Sequence, residues 1–283
     1  MFQIKNDTFC LNISNIGAEL EKLWVHDINI LWEKNELWRN QSPILFPIVG
    51  RMKDGYYLYN HQKYEIPPHG FIKEQSFEAS VIQKDFIRLT STYNEKTLKM
   101  YPFRYEFSIT YALLADRIKI GIEIKNLDDK EMYFSCGLHP GFSYQGLQEL
   151  LGDFRYEFDP TLVKSVSFDP CYVTDIQEQR LQSTLQPEEL SKQLEQAKTL
   201  CYQGLSHIAL RSKTKILKIN NSMPYTAFWQ AMPNQPKFIC IEPWYGLPDD
   251  VHTNHELIQK RDILTLMPGK TFETHIEISI MEA

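Results

Sequence analysis

The chain has 283 residues, of which 43% are hydrophobic and 23% are charged, and this composition excludes intrinsic disorder and a disulfide-stabilised miniprotein. Its 30 basic and 36 acidic side chains give a net charge of −6, and without a cluster of Lys and Arg the sequence argues against a nucleic-acid partner. The five cysteines are odd in number and never spaced as CxxC, which predicts reduced core thiols and no tetrahedral zinc site.

Alternation of polar and apolar residues, together with many β-branched and aromatic residues, continues along the chain from the N-terminus. The N-terminus lacks the basic and apolar runs of a signal peptide. Strands are predicted over 8–13, 18–25, 76–82, 86–93, 103–114, 116–126, 131–137, 207–211, 215–220, 226–232, 237–242, 262–267 and 271–281. The polar residues 60–63 predict a hairpin loop between 56–59 and 64–66. No apolar run approaches the roughly 20 residues that span a bilayer, so we expect a cytoplasmic protein with no membrane partner.

Helical spacing is confined mainly to 174–200, where Pro187 suits a first helical position and Leu190, Leu194 and Ala197 follow at helical intervals. No linker or internal repeat divides the chain. These features predict one all-β domain over residues 1–283, a large antiparallel β-sandwich with a short helical insert on its surface. Exposed sheet edges are compatible with a monomer or a homodimer.

Two patterns that resemble catalytic motifs fail on their spacing or context. Gly141 and Gly146 are one residue too far apart for a GxSxG nucleophile elbow. His252 and His255 are spaced like metal ligands on a helix, but they follow Pro248 in a predicted loop, where solvated histidines are the favoured interpretation. Without GxGxxG or a P-loop, the sequence has no anchor for a nucleotide cofactor.

Two histidines lie in segments that would hold them rigidly. In IPPHGF, two prolines and a glycine constrain the backbone around His69; a histidine that caps a turn is an equally good interpretation. In CGLHPGF, Pro140 and Gly141 follow His139 at the end of a predicted strand. A buried histidine satisfied by backbone carbonyls is the alternative there.

A third segment, FICIEPWYG, carries an apolar strand that is predicted to end at Glu242. A buried charge at that point is costly unless it is needed, and burial would raise the pKa of the carboxyl group toward the range of a general base. Trp244 offers a ring face on which a sugar would stack, although it would serve equally as a core aromatic residue.

Six motifs follow one another along the chain in a characteristic order and spacing. They are SPILFPIVGRMKDGYY (42–57), YEIPPHGFIKEQSF (64–77), GLHPGF (137–142), YTAFWQ (225–230), CIEPWYGLPD (240–249) and LTLMPGKTFE (264–273). Together they resemble the aldose 1-epimerase (galactose mutarotase) family, and most closely its LacX-like branch. The resemblance covers nearly the whole chain and implies a galactose mutarotase-like β-sandwich with the sugar in an open cleft.

Carried over position by position, the resemblance implies that Glu242 is the general base and His139 the general acid. It also implies that His69 polarises the ring oxygen and that Arg51 binds substrate hydroxyls. These roles imply interconversion of the α and β anomers of a free aldose, with no metal or organic cofactor. We expect Glu242 and His139 to face each other across a pyranose-sized space, with the histidine titrating near neutrality.

One departure from the family leaves the substrate open. Many members have an acidic residue that binds sugar hydroxyls just before the strand corresponding to 207–211, where this chain has Leu205 and Ser206. A hexose-6-phosphate 1-epimerase is one alternative; it would need two or more Arg or Lys at the cleft rim, and Arg51 and Lys53 are near each other in sequence. A sugar-binding regulator without catalysis is another. In each case the partner is a small-molecule sugar.

Overall fold

The computed structural model describes residues 1–283 and consists mainly of short antiparallel strands. The strands are β1 (Phe2–Lys5), β2 (Phe9–Ile13), β3 (Leu20–Val25), β4 (Ile28–Asn29), β5 (Ile44–Leu45), β6 (Tyr56–Tyr59), β7 (Gln62–Glu65), β8 (Glu78–Ile82), β9 (Phe86–Thr92), β10 (Tyr105–Leu113), β11 (Arg117–Asn126), β12 (Met132–Phe134), β13 (Cys136–Leu138), β14 (Gly141–Ser143), β15 (Arg155–Asp159), β16 (Leu162–Asp169), β17 (Tyr172–Arg180), β18 (Thr184–Leu185), β19 (Thr199–Gln203), β20 (His207–Arg211), β21 (Lys215–Asn221), β22 (Tyr225–Trp229), β23 (Phe238–Tyr245), β24 (Leu264–Leu266) and β25 (Thr271–Glu282). The α-helices are α1 (Glu95–Met100), α2 (Tyr144–Leu151) and α3 (Pro187–Ala197). None of them has the length and apolar character needed to cross a membrane.

Two large antiparallel sheets contain most of the strands, as the predicted all-β architecture requires. The nine-stranded sheet has the order β18-β15-β20-β21-β25-β11-β10-β9-β8. The eight-stranded sheet has the order β17-β16-β19-β22-β23-β13-β5, with β14 paired to β23. Strands β1 to β4 form a separate four-stranded sheet, and the pairs β6–β7 and β12–β24 complete the fold.

The pattern of apolar residues in each strand depends on whether one or both of its faces are buried. In β11, Ile118, Ile120, Ile122 and Ile124 are buried and alternate with more exposed residues, as expected of a strand with one face toward the core. In β23 every residue except Tyr245 is buried. One apolar cluster of 63 buried residues includes side chains from the nine-stranded, eight-stranded and four-stranded sheets, which therefore pack around a common core.

Several predicted boundaries differ from the structure. The helix beginning at Pro187 is confirmed, but 174–180 lies in β17, whose partner β16 was not predicted. The hairpin turn between β6 and β7 contains only Asn60 and His61, both at positive φ, and is thus two residues long instead of four. Both errors concern exposed polar segments, where pairing with a neighbouring strand decides the conformation and local periodicity is weak.

Strand β23 continues beyond the predicted end at Glu242. Pro243 lacks an amide donor and favoured a strand end, yet Trp244 and Tyr245 pair with Gly137 and Cys136 of β13. Glu242 consequently lies inside a buried strand, and the turn that follows β13 places His139 beside it.

Candidate active site

A cavity of about 370 Å³ lies against the eight-stranded sheet, and residues of β5, β16, β19, β22 and β23 line it. Its size is in the usual range of small-molecule sites. All five residues singled out in the sequence contribute to its lining: Arg51, His69, His139, Glu242 and Trp244. The structure thus brings together side chains from four separate motifs.

Glu242 occupies the buried floor of this cavity. It pairs with Ala227 of β22 and is 1% exposed. Its Oε2 atom lies 3.1 Å from Nε2 of His139, a close contact that lacks hydrogen-bond geometry, since Oε2 has no hydrogen-bond partner. Burial raises the pKa of the Glu242 carboxyl group well above its usual value, and the Trp244 side chain opposes that shift.

His139 is held by the turn between β13 and β14. Its backbone N–H donates to the carbonyl of Pro43 at 3.0 Å, its ring is buried, and its Nδ1 atom has no partner. Burial lowers the pKa of His139 to about 3, so the expectation of a histidine titrating near neutrality is wrong. The expected pyranose-sized gap between His139 and Glu242 is also absent, because the two side chains are in contact.

His69 is fixed by reciprocal hydrogen bonds with Gly50. The His69 N–H donates to the Gly50 carbonyl at 2.7 Å, and the Gly50 N–H donates to His69 Nδ1 at 3.2 Å. Because Nδ1 accepts, the proton of the neutral ring lies on Nε2, which remains a donor. Burial, followed by the charge of His139 and the nearby Lys73 and Arg51, lowers the pKa of His69 well below its usual value.

The backbone around His69 is strained in a way that explains the glycine after it. His69 has a φ of 63° and Gly70 one of 69°, a region that side chains other than glycine rarely adopt. A Cβ atom on Gly70 would lie 2.1 Å from the carbonyl oxygen of Phe46. Gly70 therefore permits the close backbone approach that orients His69.

Arg51 and Trp244 differ in how they meet the cavity. Arg51 is exposed, and its guanidinium makes no hydrogen bond or ion pair within the chain. Trp244 is 4% exposed and packs mainly into an apolar cluster with Leu45 and Tyr225. Its indole N–H has no hydrogen-bond partner, and its side chain acts to lower the pKa of the Glu242 carboxyl group.

The cavity also contains residues that sequence reasoning missed. Trp38 and Trp229 flank His139, with ring centroids 5.2 and 5.9 Å from the imidazole, and both are only partly buried. They offer ring faces of the kind expected of Trp244. Trp229 lies in the motif YTAFWQ, which was a usable signal, whereas Trp38 lies in an irregular loop with no local pattern.

Lys73, four positions after His69, is a third missed residue and also lines the cavity. The stretch containing Leu205 and Ser206, where the family has an acidic residue, lies outside the cavity lining. Glu242 is the only carboxylate among the lining residues, which also include two basic residues, Arg51 and Lys73.

A metal ion fits this site poorly. Donor atoms of His139, Cys240 and Glu242 lie within 4.8 Å of one another, and N, S and O are all zinc ligands. Cys240 does not line the cavity, however. His139 Nδ1 also lacks the acceptor that normally orients a metal-bound histidine.

Comparison with known proteins identifies relatives of the whole chain. A family model described as Aldose 1-epimerase matches residues 1–279. Protein LacX (plasmid) of Lactococcus lactis subsp. lactis is 25% identical over 307 residues, covering 99% of each chain. The structure of a galactose mutarotase related enzyme from Lactobacillus acidophilus has a TM-score of 0.90 at 27% identity, covering 99% of this chain and 97% of that one. A galactose mutarotase-like protein from Lactobacillus casei shares the fold, with a TM-score of 0.88 at 23% identity and coverage of 99% and 100%.

Proposed function

The chain belongs to the aldose 1-epimerase family, and we propose that it interconverts the α and β anomers of an aldose by acid–base ring opening and closure. The observation that carries the proposal is the buried contact between His139 and Glu242 in the cavity. The hydroxyl oxygen and the ring oxygen of a cyclic aldose are bonded to the same anomeric carbon. Two adjacent proton-transfer groups therefore reach both oxygens without a sugar-sized gap between them.

The proton movements balance over one opening and closing. Glu242 as a carboxylate takes the proton of the anomeric hydroxyl, the C1–O5 bond breaks as C1=O1 forms, and His139 as an imidazolium protonates O5. The pair is then neutral, with the proton on Glu242. After rotation about C1–C2, O5 attacks the other face of the carbonyl, His139 recovers its proton, and Glu242 returns its proton to O1.

Burial favours the neutral form of the Glu242–His139 pair, which is the form present when the sugar ring is open. It raises the pKa of Glu242 and lowers that of His139, and both shifts stabilise the neutral pair. In the ionised form, the attraction between the adjacent charges and hydrogen bonds from sugar hydroxyls offset the cost of desolvation. Relative to the complex of the closed sugar with the ionised pair, burial thus favours the open sugar with the neutral pair, and the sugar must supply the hydrogen bonds that allow the pair to ionise.

The surrounding residues supply binding and orientation. His69 donates from Nε2 to a ring or hydroxyl oxygen, because its Nδ1 is already occupied by the Gly50 N–H. The Arg51 guanidinium has five donors without internal partners and binds sugar hydroxyls. Trp38 and Trp229 provide apolar ring faces beside His139, on which the C–H face of a sugar packs.

Polarimetry of freshly dissolved α-glucose and α-galactose tests the proposal. Each proton-transfer group is worth about 10²- to 10⁴-fold, so Glu242→Gln and His139→Asn should each approach the spontaneous rate, and the double variant should be little slower. Glu65→Gln, an exposed carboxylate on β7, is the matched control. Wild-type activity in Glu242→Gln contradicts the mechanism, and sugar binding without acceleration by the wild type favours a regulator.

A hexose-6-phosphate 1-epimerase is a second candidate, and one observation favours it. Arg51 and Lys73 line the same cavity, neither forms an ion pair, and Lys73 donates only to the Pro68 carbonyl, at 2.7 Å. Burial lowers the pKa of Lys73; the charge of Glu74 opposes this shift, and the charge of Arg51 adds to it. A phosphate dianion between the two cations would remove their repulsion and form charge-assisted hydrogen bonds. Lys53, the neighbour noted in the sequence, donates to the Val251 carbonyl outside the cavity instead.

The second candidate is tested by comparing glucose with glucose 6-phosphate in the wild type and in Lys73→Gln. If Lys73 binds phosphate, its loss should reduce kcat/KM for the phosphate ester by about tenfold or more while sparing glucose. Lys53→Gln is the matched control and should affect neither substrate. An equal loss on both sugars contradicts phosphate recognition and leaves the free-aldose activity in place.

A further inference from the structure

A buried ion pair lies behind the cavity wall and takes no part in its lining. Lys260 Nζ lies 3.1 Å from Asp249 Oδ1, and the two side chains are 2% and 1% exposed. Lys260 also donates to the carbonyl of Leu247 at 2.7 Å. Because desolvation of two charges largely offsets their attraction, such a pair is weak evidence for a contribution to stability. Its position suggests a different role.

Asp249 holds the segment that presents Arg51. Its backbone N–H donates to the Arg51 carbonyl at 3.0 Å, and its Oδ2 accepts the Lys53 N–H at 2.8 Å. Pro248, the preceding residue, lies so close to Gly50 that a Cβ on that glycine would be 2.3 Å from the proline ring. Residues on both sides of Arg51 are therefore pinned to 248–249.

Asp249 also holds a second segment of the cavity lining. The Asp249 carbonyl accepts the N–H of Val173 at 2.8 Å, and the Val173 carbonyl accepts the N–H of Val251 at 2.9 Å. Pro170 and Cys171, immediately before β17, line the cavity. Asp249 thus connects two segments of the wall that are far apart in sequence.

We infer that Asp249, neutralised by Lys260, is a positioning residue that places Arg51 for sugar binding. Since the Arg51 guanidinium makes no hydrogen bond or ion pair within the chain, its backbone is the part of Arg51 that hydrogen bonds fix in place. His69 holds Gly50 on one side, whereas Asp249 holds the Arg51 carbonyl and the Lys53 N–H on the other. The sugar-binding part of this inference rests on the proposed function, whereas the tether itself does not.

The test combines amide hydrogen exchange with steady-state kinetics on Asp249→Asn, which keeps the shape but removes the charge. Exchange of the Lys53 amide should accelerate by about tenfold, while the peptide covering β11 is unchanged. KM for the sugar should rise several-fold with kcat nearly constant. In an Arg51→Met background, Asp249→Asn should raise KM no further, because both changes remove the same interaction.

Two further variants keep the inference falsifiable. Asp250→Asn breaks the neighbouring, partly exposed pair with Arg261 and should change neither readout. If Asp249→Asn does not fold, the double variant Asp249→Asn with Lys260→Met removes both buried charges and is measured in its place. Additive KM effects with Arg51→Met, or unchanged exchange at Lys53, would overturn the inference. An inactive wild type would refute the proposed function, and the exchange measurement would still show whether Asp249 holds the segment around Arg51.

Discussion

Replacing Glu242 by Gln should abolish activity and also stabilise the folded protein, increasingly as the pH rises. The wild-type carboxyl group is 1% exposed, and its Oε2 lacks a hydrogen-bond partner. Burial raises its pKa well above the usual value of 4.5. A glutamine fills the same space without a group that must stay protonated or be buried as a charge. We therefore expect the variant to be inactive but more stable than the wild type.

The magnitude follows from linkage between protonation and folding. Above pH 4.5 the unfolded chain releases the Glu242 proton while the folded protein keeps it, so wild-type stability falls by about 1.4 kcal/mol per pH unit. His139 has the opposite effect, because its pKa is lowered from 6.5 to about 3, and stability rises with pH between those values. The two slopes cancel between 4.5 and 6.5 in the wild type, and only the Glu242 slope remains above 6.5.

His139 contributes equally to the free energies of unfolding of the variant and the wild type, so its contribution cancels in the difference between them. The stability advantage of Glu242→Gln should therefore grow with pH above 4.5, by about 1.4 kcal/mol per pH unit wherever the folded protein keeps the Glu242 proton and by at most about 2.7 kcal/mol from pH 5.5 to 7.5. Urea unfolding at both pH values measures it, with Glu65→Gln, whose carboxylate is exposed, as the control that should show no such growth. A stability difference that is independent of pH would refute the conclusion that burial raises the pKa of Glu242.

Three further predictions concern the cavity and the backbone that shapes it. Arg51→Lys should raise KM for the sugar without moving the pH profile, because lysine loses the forked donors but keeps the charge; a shifted profile at constant KM would contradict this. The kcat/KM of the wild type should show no inflection near pH 6.5, since burial lowers the pKa of His139 to about 3, and an inflection there would count against that shift. Gly269→Ala, at a φ of 69° with no atom near its Cβ, should cost about 1–2 kcal/mol in urea unfolding. Gly70→Ala, at the same φ but 2.1 Å from the Phe46 carbonyl oxygen, should cost about 3 kcal/mol or more, and equal costs would refute the close-approach argument.

Local pattern was sufficient for the fold class and for singling out His69, His139 and Glu242, whereas Arg51 was named only through the resemblance to the family. Alternation in segments such as β11 records which face of a strand meets the core, so an antiparallel β-architecture was predictable from the residues alone. The motifs around His69, His139 and Glu242 were recognisable because Pro and Gly act on the backbone next to them. Such constraints lie within a few residues, and a single sequence displays them.

Only the tertiary structure revealed the features that depend on residues distant in sequence, namely the contacts, pKa shifts and lining of the site. The contact between His139 and Glu242 forms because β13 pairs with β23, and no local pattern reports that pairing. Burial then moves the pKa of His139 away from neutrality, since desolvation depends on the whole surroundings of the ring. Lys73 and Trp38 enter the cavity from a short 3₁₀ turn and an irregular loop, neither of which has a periodicity that could reveal the direction of its side chains.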